Sequence, residues 1–288
     1  MRTSSISARI PGAILLALVL ALPLALPVRA EDFAGDVPDR VWIDIGGQTN
    51  ELRTQASVTG KAGVGTVLDF EDVFDLPGDK TTFRLLGTAR ISERRRWIDF
   101  GYTKIDRSGA HVLANDVDWG DYVIHSGATV GAKFNTEFVY VAFRYDFLHE
   151  EKVRISGSAG ISYMNLGMGL ATDGSVDGPN GPVVGHFSKD ESIGVPVPLI
   201  GLNLDWAITR RLMLRTYNRL FRIKVGGNDG GQYDSGMHLN WYFVKYFGLG
   251  VGYDKTEVRI NEINLSGDKK GKANYTVSGF GLYANIAF

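Results

Sequence analysis

The sequence predicts an all-β chain: a transmembrane, antiparallel, up-and-down β-barrel of ten strands, with eight or twelve as the alternatives. Three observations carry this expectation. The closing stretch Ala273 to Phe288 alternates, with Phe280, Leu282, Ala284, Ile286 and Phe288 in one register and the smaller or more polar Gly281, Tyr283, Asn285 and Ala287 in the other. A period of two means a strand with one apolar face. Similar segments recur along the chain between short charged turns and longer polar loops. Beyond the first thirty residues, no apolar run approaches the ~20 residues of a membrane helix. The composition agrees: 36 glycines and 11% aromatic residues suit tight inner packing and interfacial girdles.

Residues 1–30 read as a secretory signal peptide and 31–288 as the barrel domain. Arg2 and Arg9 precede an apolar run from Ile10 to Leu26, and Val28-Arg29-Ala30 places small or apolar residues where a signal peptidase reads. Removing Arg2, Arg9 and Arg29 leaves 28 basic against 32 acidic side chains, a net charge of −4 that gives no reason to expect nucleic acid. The absence of cysteine excludes a lipoprotein anchor, disulfides, thiol catalysis and thiolate metal sites.

The strands follow in order. In the first, about Arg40 to Arg53, Val41, Ile43 and Ile45 alternate with Trp42, Asp44 and Gly46. An acidic connection follows through Leu68-Asp69-Phe70-Glu71-Asp72 and Asp75. The second strand, Thr81 to Ser92, sets Phe83, Leu85 and Ile91 against Arg84, Thr88 and Arg90. The third turns Ile98, Phe100 and Tyr102 outward and Asp99 inward. Gly120-Asp121, between Trp119 and Tyr122, suits a two-residue hairpin tip. The fourth strand ends with Val139, Val141, Phe143, Tyr145 and Phe147 outward, and the fifth spans roughly Lys152 to Leu170. The stretch Thr172 to Lys189, rich in Gly, Asp, Pro and Ser, reads as the largest loop. Pro196 and Pro198 cannot donate to a ladder, so the sixth strand is expected to pair regularly only from about Leu199 to Ile208. The seventh runs from Leu212 to Val225, Gly226 to Gly231 form a loop, the eighth ends at Phe243 and the ninth spans Phe247 to about Ile260. Ser266 to Lys272 lead into the last strand. Short turns fall on one rim and longer loops on the other.

Opposed residues in a hairpin have a constant index sum and share a face, so the inner residues can be paired from sequence. Sums of 189, 300, 420 and 492 oppose Arg90 with Asp99, Asp146 with Arg154, Asp205 with Arg215, and His238 with Asp254. Arg84, Arg144 and Arg219 also point inward. The same parity keeps Arg and Asp off the lipid face, where Arg or Lys at the midplane costs ~2–4 kcal/mol. The expected lumen is filled by mutually satisfied ion pairs.

Catalytic patterns are sparse. His111, Asp116, Asp118, Asp121, His125 and Ser126 gather near one hairpin tip without a recognised spacing, and His238 with Asp254 reads as a structural pair before a general base. Asp69, Glu71, Asp72 and Asp75 supply carboxylates for a Ca²⁺ or Mg²⁺ site, but without the spacing of a calcium loop; a solvated acidic loop is the plainer expectation. No cofactor is expected.

The terminal strand resembles that of bacterial outer-membrane β-barrels, in which the final aromatic, here Phe288, is read by the barrel-assembly machinery. The opening Val41-Trp42-Ile43-Asp44-Ile45-Gly46-Gly47 and the stretch Thr66 to Asp72 likewise resemble small proteobacterial outer-membrane β-barrel proteins of unassigned activity. The resemblance implies a Gram-negative cell outer membrane, both termini in the periplasm, and outer-membrane lipid and lipopolysaccharide as surroundings. It supplies no catalytic residues. The expected role is a structural barrel, or one presenting surface loops for interaction or adhesion to an extracellular ligand. A narrow porin-like channel for small or hydrophobic solutes is the alternative, and an outer-membrane protease or lipid-modifying enzyme a more distant one.

Overall fold

A computed structural model describes residues 37, 40–59, 67–92, 95–119, 121–178, 181–225, 228–265 and 269–288; the expected signal peptide lies outside them. The elements in order are β1 (Val41–Thr59), β2 (Leu68–Asp69), α1 (Phe70–Phe74), β3 (Asp79–Ser92), β4 (Arg96–Val112), β5 (Val117–Trp119), β6 (Tyr122–Ile124), β7 (Thr129–His149), β8 (Val153–Gly178), β9 (Gly181–Ala207), β10 (Leu212–Val225), β11 (Asn228–Tyr242), β12 (Phe247–Leu265) and β13 (Lys269–Ala287). Ten of the strands form an antiparallel ring in which each pairs with the next, and β1 closes on β13 from Trp42↔Ala287 to Thr59↔Lys270. The seal at the terminal rim is main-chain: the N–H groups of Arg40 and Val41 both donate to the Phe288 carbonyl at 3.0 Å.

The alternation sorts chemistry in the opposite sense to a water-soluble protein. Ile200, Leu202, Leu249, Phe280 and Leu282 are more than half exposed on the outer wall, whereas Asp44, Asp146, Arg154, Asp205 and Asp254 are almost wholly buried inside. Trp206, Trp241, Phe243 and Phe247 ring the short-turn rim, while Tyr233, Tyr253 and Phe280 stand at the far edge of the apolar band. Such aromatic girdles mark the two interfaces of a bilayer.

Three sequence expectations change in the folded chain. Thr172 to Lys189 is not a loop: β8 and β9 stay paired from Val153↔Trp206 to Gly178↔Gly181. Glycines make this possible, because Gly181 and Gly185 take φ of 100° and 124°, which side-chain-bearing residues rarely adopt. Asn228 to Gly231 likewise belong to β11, paired with β10 as far as Val225↔Asn228. The acidic connection becomes β2 and α1, folded into the barrel mouth. Trp119 stands opposite Tyr122, while Gly120 of the expected tip lies outside the described residues; the two short strands form a separate β5–β6 ribbon that pairs sideways with β8 through Val123↔Asp177 and Ile124↔Val176.

Pro196 and Pro198 act on one edge only. They sit in the β8–β9 ladder opposite Tyr163 and Ile161, whereas the β9–β10 ladder begins at Ile200.

The interior has an apolar upper half. Leu52, Leu68, Phe70, Phe74, Ile105, Phe134, Phe138, Met164, Tyr275 and Val277 belong to one buried cluster, in which the α1 rings Phe70 and Phe74 are fully covered. Phe74→Ala should therefore destabilise the folded barrel by about 3–5 kcal/mol, the cost of emptying a buried aromatic site. Denaturant titration read by heat-modifiable gel migration measures this, and a loss below ~1 kcal/mol would refute a tightly seated helix.

Candidate functional site

Below the apolar cluster, lumenal charges converge on two carboxylates. Asp205 lies in a close ion pair with Arg144 and 3.5 Å from both Arg154 Nη2 and Arg215 Nε. Arg215 also reaches Asp44 at 3.5 Å, and Asn285 donates to the other oxygen of Asp44 at 2.7 Å. Asp146 accepts from Ser156 at 2.6 Å and Trp97 at 2.8 Å, with His149 at 3.0 Å. The guanidinium of Arg154 lies 4.6 Å from the ring centres of both Trp42 and Trp97, and Arg215 packs on Trp42 at 4.6 Å. These contacts let cations persist out of water, since buried charge needs both a counter-ion and hydrogen bonds.

The second node is Asp254. It accepts from Tyr217 at 2.6 Å, pairs with His238 Nε2 at 2.9 Å and Arg84 at 3.2 Å, and receives the Tyr283 hydroxyl at 3.2 Å. Between the nodes, Arg219 faces Asp99 at 3.7 Å and stacks on Tyr140 and Tyr217 at 4.1 and 4.4 Å. His238 and Asp254 are both buried and joined within the wall-to-wall network.

The lumenal parity is as the sequence predicts, but the register differs in three hairpins. Asp205 stands opposite Arg215. Asp99, however, opposes Thr88, and Arg90 opposes Trp97; Asp146 opposes Ser156, and Arg154 opposes His149 on one side and Asp205 on the other. His238 opposes Gly252, although it still reaches Asp254 diagonally. Bulges after Arg90 and Asp146 account for part of the offset. In two of the three hairpins a bulky side chain also faces a glycine, Phe100↔Gly87 and His238↔Gly252, and the same arrangement recurs in neighbouring ladders at Tyr140↔Gly101 and Tyr217↔Gly236. A Cβ on Gly236 would meet the Tyr217 ring at 2.3 Å, and one on Gly252 would meet His238 at 2.8 Å. The glycines opposite those rings are visible in the sequence.

The acidic stretch has structural duties. Asp69 caps α1 by accepting from the Asp72 N–H at 3.4 Å, and Asp75 ends the helix with a left-handed φ of 52°. Glu71 pairs closely with Arg107, which also bonds Thr54, while the Thr54 N–H donates to Glu71 at 2.8 Å. Asp72 lies in the helix's first turn. Among the described residues, no three His, Asp or Glu side chains converge as a metal site would require.

Of the polar residues near the hairpin tip, His125 and Asp116 come together with Asp177 of β8. His125 Nδ1 lies 3.2 Å from Asp116 and Nε2 3.0 Å from Asp177, and Asp116 also accepts the Ser126 N–H at 2.7 Å. Hydrogen bonds from the ring to the two carboxylates, that to Asp177 first, raise the imidazole pKa; the Ser126 N–H and then His125 lower that of Asp116. With both ring nitrogens beside carboxylate acceptors, the imidazolium is the form that satisfies both contacts. The group clasps the β5–β6 ribbon, whose Val117 and Ile124 join the apolar cluster, onto β8.

No family model and no curated protein matches the chain. Among solved structures it is similar to the outer-membrane protease OmpT of Escherichia coli, at 11% identity over 87% of this chain and 97% of that one, with a TM-score of 0.51. Others are the translocator domain of the autotransporter NalP of Neisseria meningitidis (12% identity, 93% and 95% covered, TM-score 0.43) and OprG of Pseudomonas aeruginosa (12%, 89% and 100%, 0.38). The fold is that of an outer-membrane β-barrel. The apolar outer band and its two girdles seat this barrel in the outer membrane, with the short-turn rim and Phe288 at one interface and the plug above the other. At such identities the likeness extends to fold alone, so OmpT's protease activity does not transfer with it.

Two outcomes test the site. Asp205→Ala should cost about 3–5 kcal/mol by stranding buried arginines, and a double-mutant cycle should show stronger coupling of Asp205 to Arg144 than to Arg215. Equal, negligible couplings would remove the node. At the clasp, the raised His125 pKa gives stability present below the unfolded imidazole value and lost as pH rises through the folded one. The lowered Asp116 pKa gives stability lost as pH falls through its folded value. Protection of the Ser126 amide, exchange rate divided into its intrinsic rate at each pH, should therefore be greatest between the two and fall on either side; a flat protection profile would contradict the clasp.

Proposed function

We propose that the protein is a closed, non-catalytic outer-membrane barrel whose role is to hold a tall extracellular β-structure at the cell surface for interaction or adhesion. The observation that carries this reading is the filled lumen. Two arginine–carboxylate nodes span it, α1 and the apolar cluster occupy its upper half, and two cavities between them are each only about 40 Å³. That is room for a few waters and not for a solute.

The extracellular extension supports the second half. Ile161 is the last strongly exposed apolar residue on the outer face of β8, yet the β8–β9 hairpin continues to Gly178, on the order of 50 Å of additional strand. Strand pairing on both sides of β8, together with the β5–β6 ribbon, makes this extension a rigid platform. An extracellular ligand would meet the platform, and lipopolysaccharide would surround the wall below it. Phe288 at the end of a paired strand suits recognition by the barrel-assembly machinery.

Refolded protein in a planar bilayer should give no defined openings, and Arg107→Ala, which releases Glu71 and the plug helix, should give intermittent ones. Regular openings of the unaltered barrel would instead establish the narrow conduit.

A further inference from the structure

The barrel wall carries a seam between β9 and β10. Their ladder runs from Met213↔Ala207 to Leu220↔Ile200 and stops, although β10 continues to Val225 and β9 rises to Gly181. The cause can be read from hydrogen-bond phase. Ala207 N–H donates to Lys152 of the β8 side, so odd residues of β9 bond toward β8 and even residues toward β10. Tyr242 N–H donates to Arg211, so the even residues of β10 bond toward β9. Continued by the same register, the next two bonding positions would set Pro198 against Arg222 and Pro196 against Lys224. Both β9 residues lack the N–H, and two consecutive missing donors end the ladder. Each missing donor leaves a β10 carbonyl unmet, and because the ladder ends at Leu220↔Ile200 the N–H groups of Arg222 and Lys224 also have no ladder partner on β9 among the described residues.

The height of this seam matters. Leu220 pairs with Tyr233, a member of the outer girdle, and Ile200, Leu202 and Leu220 are all more than half exposed on the lipid face. Arg222 and Lys224 lie two and four residues further out, on the same face as Leu220, where lipid headgroups begin. Arg222 is 77% exposed, and its ion-pair partner is Asp229 at the outer limit of 4.0 Å; Lys224 is exposed and makes no ion pair among the described residues. Neighbouring outward cations are already occupied: Lys255 and Arg259 hold Glu257 at 2.6 and 3.0 Å, and Lys270 holds Glu262 at 2.7 Å.

We propose that this proline-stopped seam is a binding site for one phosphorylated glycolipid of the outer leaflet. Its phosphate is held by the Arg222 and Lys224 side chains and the two unpaired N–H groups. Its acyl chains lie along Ile200, Leu202 and Leu220. Charge-assisted bonds from a guanidinium and free main-chain donors are the pairing that phosphate oxygens favour, and the apolar strip beneath fixes the source as a membrane lipid. The site lies on the outer wall, so it stands whether or not the lumen conducts.

The test uses the mature barrel in phosphatidylcholine nanodiscs doped with bis-phosphorylated lipid A or its dephosphorylated form. Native mass spectrometry counts retained lipid, and heat-modifiable migration verifies the fold of each variant. The unaltered barrel should retain the phosphorylated form at least tenfold better, and R222A/K224A should lose that preference. P196A/P198A, which restores both donors, should slow amide exchange at Arg222 and Lys224 and also lower retention. Three results would overturn the proposal: equal retention by R222A/K224A, slow exchange at those two amides in the unaltered protein, or displacement of the lipid by millimolar inorganic phosphate.

Discussion

Burying charge inside a cylinder with lipid outside it is the constraint on which the rest of this architecture depends. Asp205 shows how it is met: one carboxylate from β9 is shared by arginines from β7, β8 and β10, three different strands. No hairpin could supply that set alone. Most of the ring strands contribute buried charged residues at inward positions, β13 contributing Asn285 instead, and the curvature of the ring makes them converge. An unpaired guanidinium in such a place would cost several kcal/mol, so the network ties the strands' registers to one another. The aromatic faces of Trp42 and Trp97 contribute at the terminal end, shielding Arg154 from both sides of the node.

The upper half of the lumen solves a different problem. There the wall presents Ile105, Phe134, Phe138 and Val277 inward, side chains that would be wetted in an open tube. The connection between β1 and β3 fills the space with Phe70 and Phe74 on a short helix, and Glu71 fastens that helix to the wall through Arg107. A five-residue helix has little stability of its own. It is held by its caps, by burial and by that ion pair, so the plug is a product of the barrel around it. The β5–β6 ribbon repeats the arrangement at the mouth, with apolar residues down and the His125 clasp at its edge.

Much of the fold was legible. The period of two fixed which residues face lipid, and the charged turns fixed where hairpins reverse, so strand number and parity followed from local pattern. Proline placement was also legible, because a missing donor acts wherever the residue sits; the structure adds that only the β10 side of β9 feels it. Less legible was register. Complementary charges suggested Arg90 with Asp99 and Asp146 with Arg154, whereas both ladders carry a bulge, Phe100 packs opposite Gly87 in the first, and both sit two residues from the charge-matched register. Long side chains tolerate such a shift: His238 still finds Asp254 on the diagonal. The acidic segment misled for a related reason. Its carboxylates suggested solvent or metal, but Phe70 and Phe74, spaced one helical turn apart within it, carry the larger free energy.

By itself, the sequence determined the membrane-spanning β-architecture, its inside-out polarity and the location in which that polarity is stable. These follow from alternation, and alternation is local: each residue's face depends only on its neighbours along the strand. The tertiary structure alone decided which charges meet, that the mouth is plugged, that the Gly-rich stretch after Leu170 stands as a paired hairpin, and that the wall has a seam. Each depends on partners brought together from distant strands by closure of the ring, and no window of sequence contains both halves of such a contact.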